Sequence, residues 1–555
     1  MLSFLYKWAF IVNNRPKANW QQPTAHVFLL VKINRYCYTF GYCTLVLFPV
    51  SGSFAVTLYS FGPGAVPGVY SLGGQGSAGK FLQHLQCTIA HYPVSNLFFG
   101  GSMSEQRTPP AGMLERLFQL NQKKTTVKTE ILAGCTTFIA MGYILFVNPN
   151  ILAVAGIPRE AAIAATVWSA AICTLLMGLW ANFPVAVAPG MGLSAFFTYT
   201  VVLGMGLNWQ TALGAVFISG IVFLILTLGG IRQAIIRAVP MNLKYAIGVG
   251  IGTFIAFVGM KEAGIVVDSA ATLVTAGHVG SLHFVPGEPA PFLSLMGLVF
   301  TGILMSFGVK ASLLIGIAFT TALGMLTGAS PTPEGVHSFV SLDIPSLSET
   351  FMAMDLLGAL SYGIVSIIFT FTVVELFDNM GTLIGLTRKA GLMQADGSID
   401  NLDRALTTDA VGTMVSAVLG ISTVTTYVES AAGVAAGGRT GLTAITVAAL
   451  FLVSLFFAPM VGFVPGFATA PALIIVGALM MSEVVNIRFD DITDALPAFL
   501  TIVMMPLTYS IANGFAFGFT SYALLKVGSG KIREVNWVML VISVVFMINF
   551  AMRLH

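Results

Sequence analysis

The sequence is poor in charge. Asp, Glu, Lys and Arg make up 9% of its 555 residues, where a soluble domain carries about 25%. That excludes the hydrated surface of an ordinary soluble enzyme. A net charge of +3 gives no strongly basic face, so no nucleic-acid partner is expected. Cysteine is scarce as well. The five, at positions 37, 43, 87, 135 and 173, form no CxxC pair, which argues against a disulfide framework and a zinc site. None of the seven histidines stands in an HExxH arrangement, and His278, His283 and His337 fall between apolar runs. The residues imply no metal, no cofactor and no enzyme chemistry.

One absence is local. Residues 1–102 contain no Asp or Glu, and the first acid is Glu105. The stretch holds six Lys/Arg, three of the five cysteines and glycine clusters without a period. It also lacks the basic, apolar and cleavage regions of a signal peptide. Gly100-Gly101-Ser102 before Met103 is compatible with a ribosome-binding site just upstream of an ATG. Residues 1–102 are therefore expected to be a non-native leader or a disordered extension, and 103–130 a cytoplasmic N-terminus.

What fills the chain is apolar surface, with 56% apolar residues and a mean hydropathy of +0.87. Runs long enough to cross a bilayer, about 20 residues each, recur from residue 131 onward. Their breakers give spans near 131–151, 161–181, 184–204, 211–229, 244–262, 291–309, 311–328, 359–380, 405–421, 423–438, 441–463, 466–485, 493–511 and 513–527. With a cytoplasmic N-terminus, the loops after even spans collect Arg232, Arg237, Lys244, Lys310, Arg388, Lys389, Arg404, Arg439, Arg488, Lys526, Lys531 and Arg533. The two largest loops on the other side, 263–290 and 329–350, contain no Lys or Arg. This is the asymmetry of the positive-inside rule.

Fourteen spans divide into 131–328 and 359–527, joined by an extracytoplasmic loop at 329–358 and followed by a basic loop and apolar helix at 528–555. An odd repeat of seven inserts its second copy upside down. The expected fold is an all-α polytopic membrane protein of 7+7 inverted repeats. The third span (PVAVAPGMGLSAFF) and the tenth (STVTTYVESAAGVAAGG) are broken by Gly, Pro and small polar residues. Such breaks at membrane depth are tolerated where the backbone is buried or lines a cavity.

Three carboxylates in these apolar segments draw attention. Glu375 and Asp378 lie in TFTVVELFDNMGTLIG, three apart and so on one helix face. Glu429 lies in the broken tenth span. An acid at a helix centre in a membrane costs about 2.5–3.5 kcal/mol on insertion scales, so these groups are candidates to handle a proton, an ion or a polar substrate. The bland alternatives are a packing carboxylate for Glu429, wet interfacial acids for the pair, and a helix-linking role for Asp378. Gly190 and Gly192 read as close packing or as exposed backbone donors, and Ser194 as a contact to ligand or to its own helix. Thr425, Thr426 and Ser430 read as packing groups or as site lining. Lys261 and Glu262 read as a solvated pair at a span end. Phe196 or Phe197 offers a ring to stack on a base.

The segments TEILAGCTTFIAMGYILFVNP, APGMGLSAFF, ELFDNMGTLIG and TTYVESAAGVAAGGRTGLTA together resemble the purine permeases of the AzgA-like branch of the nucleobase–cation symporter-2 family. The likeness runs over nearly all of 115–550. It implies a core domain (spans 1–4 and 8–11), a gate domain (spans 5–7 and 12–14) and substrate held between the third, eighth and tenth spans. It puts the binding acids at Glu375, Asp378 and Glu429. The family commonly has Asp where this chain has Glu375, and Asn where it has Ser194.

The resemblance implies a proton-coupled purine importer of a bacterial inner membrane, working by alternating access. The partners are a purine base, a proton and the lipid bilayer, and a homodimer is compatible with all of this. Glu375, with Asp378 beside it, is the candidate proton-coupling group. An ionised Glu429 can accept both the N1–H and the exocyclic NH₂ of guanine. The unprotonated N1 of adenine would repel it. Guanine and hypoxanthine are favoured on this ground, and adenine stays in the substrate set. An anion transporter of the sulfate-permease type would share the fold, but central acids disfavour anions. An intramembrane aspartyl protease would need a GxGD motif, which is missing from the sequence.

Overall fold

The computed structural model describes residues 113–552 except 231, 233–234, 236–237, 334, 362–364 and 391–400, and the backbone of four strands before residue 113. The chain falls into two units, 1–107 and 108–555. In the first, β1 (Val31–Lys32), β2 (Cys43–Val50), β3 (Ser53–Ser60) and β4 (Gly68–Leu72) form an antiparallel meander. The remainder of the segment read as a leader lies outside the described residues.

The second unit is mostly helix. Six described helices are long and apolar enough to cross a membrane, among them Val127–Val154, Arg159–Ala181, Trp209–Leu228 and Met241–Glu262. Shorter apolar helices include Pro291–Ser306, Ser312–Thr327 and Ile492–Leu507. Helix is imposed by the solvent, because only internally satisfied backbone is stable against lipid.

Two sets of helices pack mainly within themselves. In one, Met241–Glu262 lies against Gly466–Met480 and Ile492–Leu507, and Pro291–Ser306 and Ser312–Thr327 join Gly466–Met480. Glycines let the first pair approach backbone to backbone. A Cβ on Gly252 would stand 2.6 Å from Met480 Cβ and 2.8 Å from the Gly477 carbonyl, as small residues allow between membrane helices. In the other set, Val127–Met141 and Arg159–Leu176 pack on Gly441–Ser454, and Trp209–Leu228 packs on Leu402–Leu419 and Val365–Ala390. A two-stranded hairpin, β6 (Val266–Ser269) with β7 (Leu273–Ala276), follows the helix that ends at Glu262.

The broken third and tenth spans are the exceptions to helix. Each contains a three-residue strand, β5 (Val187–Pro189) and β8 (Val424–Thr426), and the two pair antiparallel. Short helices Met191–Ala195 and Ser430–Ala435 follow them. Two basic residues differ from the loop reading. Lys526 is 2% exposed, lies within the helix Ile511–Gly528 and pairs with Asp494 and Glu534. Arg232 is 1% exposed and pairs with Asp409 at 3.7 Å, with Phe223 under its guanidinium at 4.4 Å. Hydropathy alone cannot tell a loop arginine from one that folds back onto a distant acid.

Candidate functional site

The crossing of β5 and β8 organises the candidate site. Leaving the helix frees backbone groups, and here they find partners. Val187 N–H donates to Thr174 Oγ1 (2.9 Å), whose own hydroxyl donates to the Val187 carbonyl (2.7 Å). Ala186 N–H donates to Ser430 Oγ at 3.0 Å, and Tyr427 Oη donates to the Pro189 carbonyl at 2.5 Å. Pro189, which has no N–H, stands at the strand end, where none is needed.

Beyond the strands begin two short helices, at Met191 and Ser430. Glu429 occupies the N-cap position of the second, without a side-chain cap hydrogen bond. The first N–H groups of that helix are taken by the preceding turn, Ser430 N–H donating to the Tyr427 carbonyl at 3.1 Å and Ala431 N–H to the Val428 carbonyl at 2.9 Å. Tyr143 Oη donates to Glu429 Oε1 at 2.6 Å. Tyr143 is fully buried where the helices Val127–Met141 and Ile144–Val154 meet. Glu429 itself is half-buried and Val428 before it is exposed.

Glu375 differs. It is fully buried on the helix Val365–Ala390 and accepts a hydrogen bond from Thr413 Oγ1. Thr413 lies one turn after Asp409 on Leu402–Leu419, so Glu375 belongs to the neighbourhood of the Arg232–Asp409 pair. The Glu375 helix packs on β8 and on Ser430–Ala435. The side chain of Asp378 lies outside the described residues.

The small residues join the two broken spans. Ser194 Oγ meets Ser422 Oγ at 2.8 Å, a partner on the other span. The Gly190 N–H donates to the Thr423 carbonyl at 3.1 Å, so this donor serves the crossing. A Cβ on Gly190 would stand 2.7 Å from Thr425 Cγ2, and one on Gly192 3.0 Å from Ile251 Cγ2. Thr426 is buried in register with Val187. Phe196 and Phe197 are buried, and Phe196 meets Phe371 edge-on at 5.0 Å. Lys261 is exposed, whereas Glu262 accepts a hydrogen bond from Tyr199 Oη at 2.9 Å, which departs from a solvated pair.

Sequence reasoning did not single out Tyr143, Asp409, Ser422 or Glu130. Glu130 is fully buried and accepts from Thr125 Oγ1 (2.8 Å), Arg439 N (2.9 Å), Thr440 N (3.2 Å) and Thr443 Oγ1 (2.5 Å). It holds the backbone just before Gly441–Ser454, whose N-cap is Thr440. The one signal for Tyr143 is a phenol inside an apolar run.

A family model described as a permease family, for xanthine and uracil permeases, matches residues 128–517. The chain belongs to this family. It is 43% identical over 452 residues to adenine permease AdeP of Escherichia coli, covering 80% of this chain and 98% of that one. It is 44% identical over 441 residues to guanine/hypoxanthine permease PbuO of Bacillus subtilis, covering 78% and 99%. A Methanocaldococcus jannaschii protein named as a permease without a substrate is 50% identical over 437 residues, covering 79% and 98%. Among solved structures, the transmembrane domain of a cyanobacterial bicarbonate transporter, BicA, superposes with a TM-score of 0.53 at 14% identity, covering 70% of this chain and 97% of that one. That likeness gives the fold alone, the 7+7 inverted-repeat class. This permease is a multi-pass membrane protein and a transporter, not an enzyme.

Proposed function

We propose that this permease imports purine nucleobases by proton symport and alternating access, with guanine and hypoxanthine as preferred substrates. The relatives named for adenine and for guanine/hypoxanthine are almost equally similar, so identity supports purines and leaves the choice of base to the site. The observation that carries the reading is Glu429. It is a half-buried acid at the crossing of two broken spans, with one oxygen held by Tyr143. A carboxylate so oriented keeps acceptor capacity for the adjacent donors of an oxopurine.

In this mechanism Glu429 takes the base and Glu375 carries the proton. Glu375 is fully buried, with Thr413 as donor. Neutralising it changes the charge balance beside Arg232 and Asp409 without touching the base. The fourteen spans of the sequence reading form a core that moves against a gate, and the two helix sets are those bodies. The N-terminus is cytoplasmic in this reading, and the membrane is a bacterial inner membrane.

The test is uptake of labelled guanine in a strain lacking purine transport, in competition with hypoxanthine, adenine, xanthine and uracil. Strong competition by hypoxanthine, weak competition by adenine, and collapse with a protonophore are expected. Uptake that ignores all purines rejects the substrate class. Uptake that survives loss of the proton gradient but needs sodium replaces the coupling ion.

A further inference from the structure

Two neighbouring residues of the third span reach across to the other helix set. Tyr199 and Thr200 lie on the π-helical segment Phe196–Gly204. Tyr199 Oη donates to Glu262 Oε1 at 2.9 Å, and Thr200 Oγ1 donates to the Tyr509 carbonyl at 2.8 Å. Glu262 ends the helix Met241–Glu262, and Tyr509 forms the turn between Ile492–Leu507 and Ile511–Gly528. The turn holds Tyr509 at φ 52°, a left-handed conformation that is uncommon for a bulky side chain and kept only where surroundings enforce it.

The Tyr509 ring is the hub of the contact. Tyr199 meets it edge-on at 5.3 Å, Phe254 and Phe257 each approach at 5.6 Å, and Lys261 Nζ stands 5.0 Å from its centroid. Yet the polar pairing is incomplete. Glu262 Oε2 and Tyr509 Oη are buried with no hydrogen-bond partner among the described residues. Water would satisfy both if the two helix sets parted here, so their burial opposes closure while the two cross-set hydrogen bonds and the Tyr199–Tyr509 ring contact favour it. A permanent brace has no need of such a balance, and Glu130, with four donors, shows what one looks like.

We propose that Tyr199, Glu262 and Tyr509 form a latch that closes the permease on one side, with Tyr199 and Glu262 as positioning residues for transport. This rests on the alternating-access reading above, whose orientation puts the latch on the extracytoplasmic side. Opening it would admit solvent toward Ile255, which lies two turns back along the Glu262 helix. A Cβ on Gly192 of the broken span would stand 3.5 Å from Ile255 Cδ1.

The test is the labelling rate of Ile255→Cys by an impermeant maleimide applied to intact cells, in a full-length protein with its five native cysteines replaced. Tyr199→Phe and Glu262→Ala should each speed labelling by about fivefold, the population shift expected for one ordinary hydrogen bond. Glu262→Gln, which keeps an acceptor for Tyr199, should stay near the parent rate. Should Tyr199→Phe be lost from the membrane, Thr200→Val removes the second bridge and is read in the same way. Parent rates in Tyr199→Phe or Thr200→Val, or equal rates in Glu262→Gln and Glu262→Ala, overturn the latch. Labelling reports conformation and not flux. Faster labelling in a protein that moves no purine therefore leaves the latch standing and removes the substrate assignment. Normal purine uptake with unchanged labelling does the reverse.

Discussion

Glu130 and Glu429 both sit within apolar segments, and their hydrogen bonds set them apart. Glu130 is fully buried and accepts from two hydroxyls and two backbone N–H groups. Nothing is left for a ligand. Glu429 is half-buried, bonded by one tyrosine, and stands at a helix start beside a strand crossing. The desolvation that makes any acid costly in a membrane is offset at Glu130 by protein donors. At Glu429 one side-chain donor, Tyr143, does so, and in the proposed mechanism the substrate supplies the rest. An intramembrane acid is thus a prompt to count donors, and the count separates a brace from a site.

Four substitutions sharpen this contrast, from the largest expected effect to the smallest. Glu130→Ala strands the N–H groups of Arg439 and Thr440, and each unmet buried donor costs about 1–3 kcal/mol. Little folded protein should reach the membrane, as measured by detergent-extracted yield and thermal unfolding. Normal yield would remove Glu130 from the role of brace. Glu375→Gln should fold, bind guanine within about threefold of wild type, under 1 kcal/mol, and fail to accumulate it against a gradient. Retained accumulation would take the proton away from Glu375.

Tyr143→Phe leaves the Glu429 carboxylate in place but unoriented. Guanine affinity should fall about fivefold, near 1 kcal/mol, by equilibrium binding. An unchanged value would make the tyrosine a packing residue only.

Asp491 supplies the smallest effect and lies outside the spans. Lys531, followed by the Thr493 N–H and hydroxyl, holds its carboxyl well below the ordinary carboxylate range. A depressed folded value means its contribution is complete above the unfolded pKa of about 3.9 and fades as pH falls through the folded one. The gap in melting temperature between wild type and Asp491→Asn should therefore be constant from neutral pH to about 5, and close only below about 4. A gap that closes between pH 6 and 7 would point to another group.

Much of the architecture was legible because lipid permits few backbone solutions. The apolar runs located the helices, and Gly, Pro and small polar residues marked the two breaks. Pairing between β5 and β8 was not legible, since three residues carry no period. Glu375 and Glu429 stood out as acids in a long apolar run and in a broken span, whereas Asp409, also inside an apolar run, was passed over. Tyr143 did not stand out, because a tyrosine among Ile, Leu and Phe reads as filler. Asp409 and Arg232 were missed together. Arg232 is followed by Arg237 and Lys244 and so reads as loop, and only the fold brings it to an acid far along the chain.

The central claim is that Glu429 accepts hydrogen bonds from the base, and equilibrium binding of guanine to the purified Glu429→Gln protein tests it most directly. Exchanging a pure acceptor for a group that also donates should weaken binding by about 1.5–3 kcal/mol, roughly 10- to 150-fold, in protein that remains folded. Wild-type affinity in that variant would contradict the account.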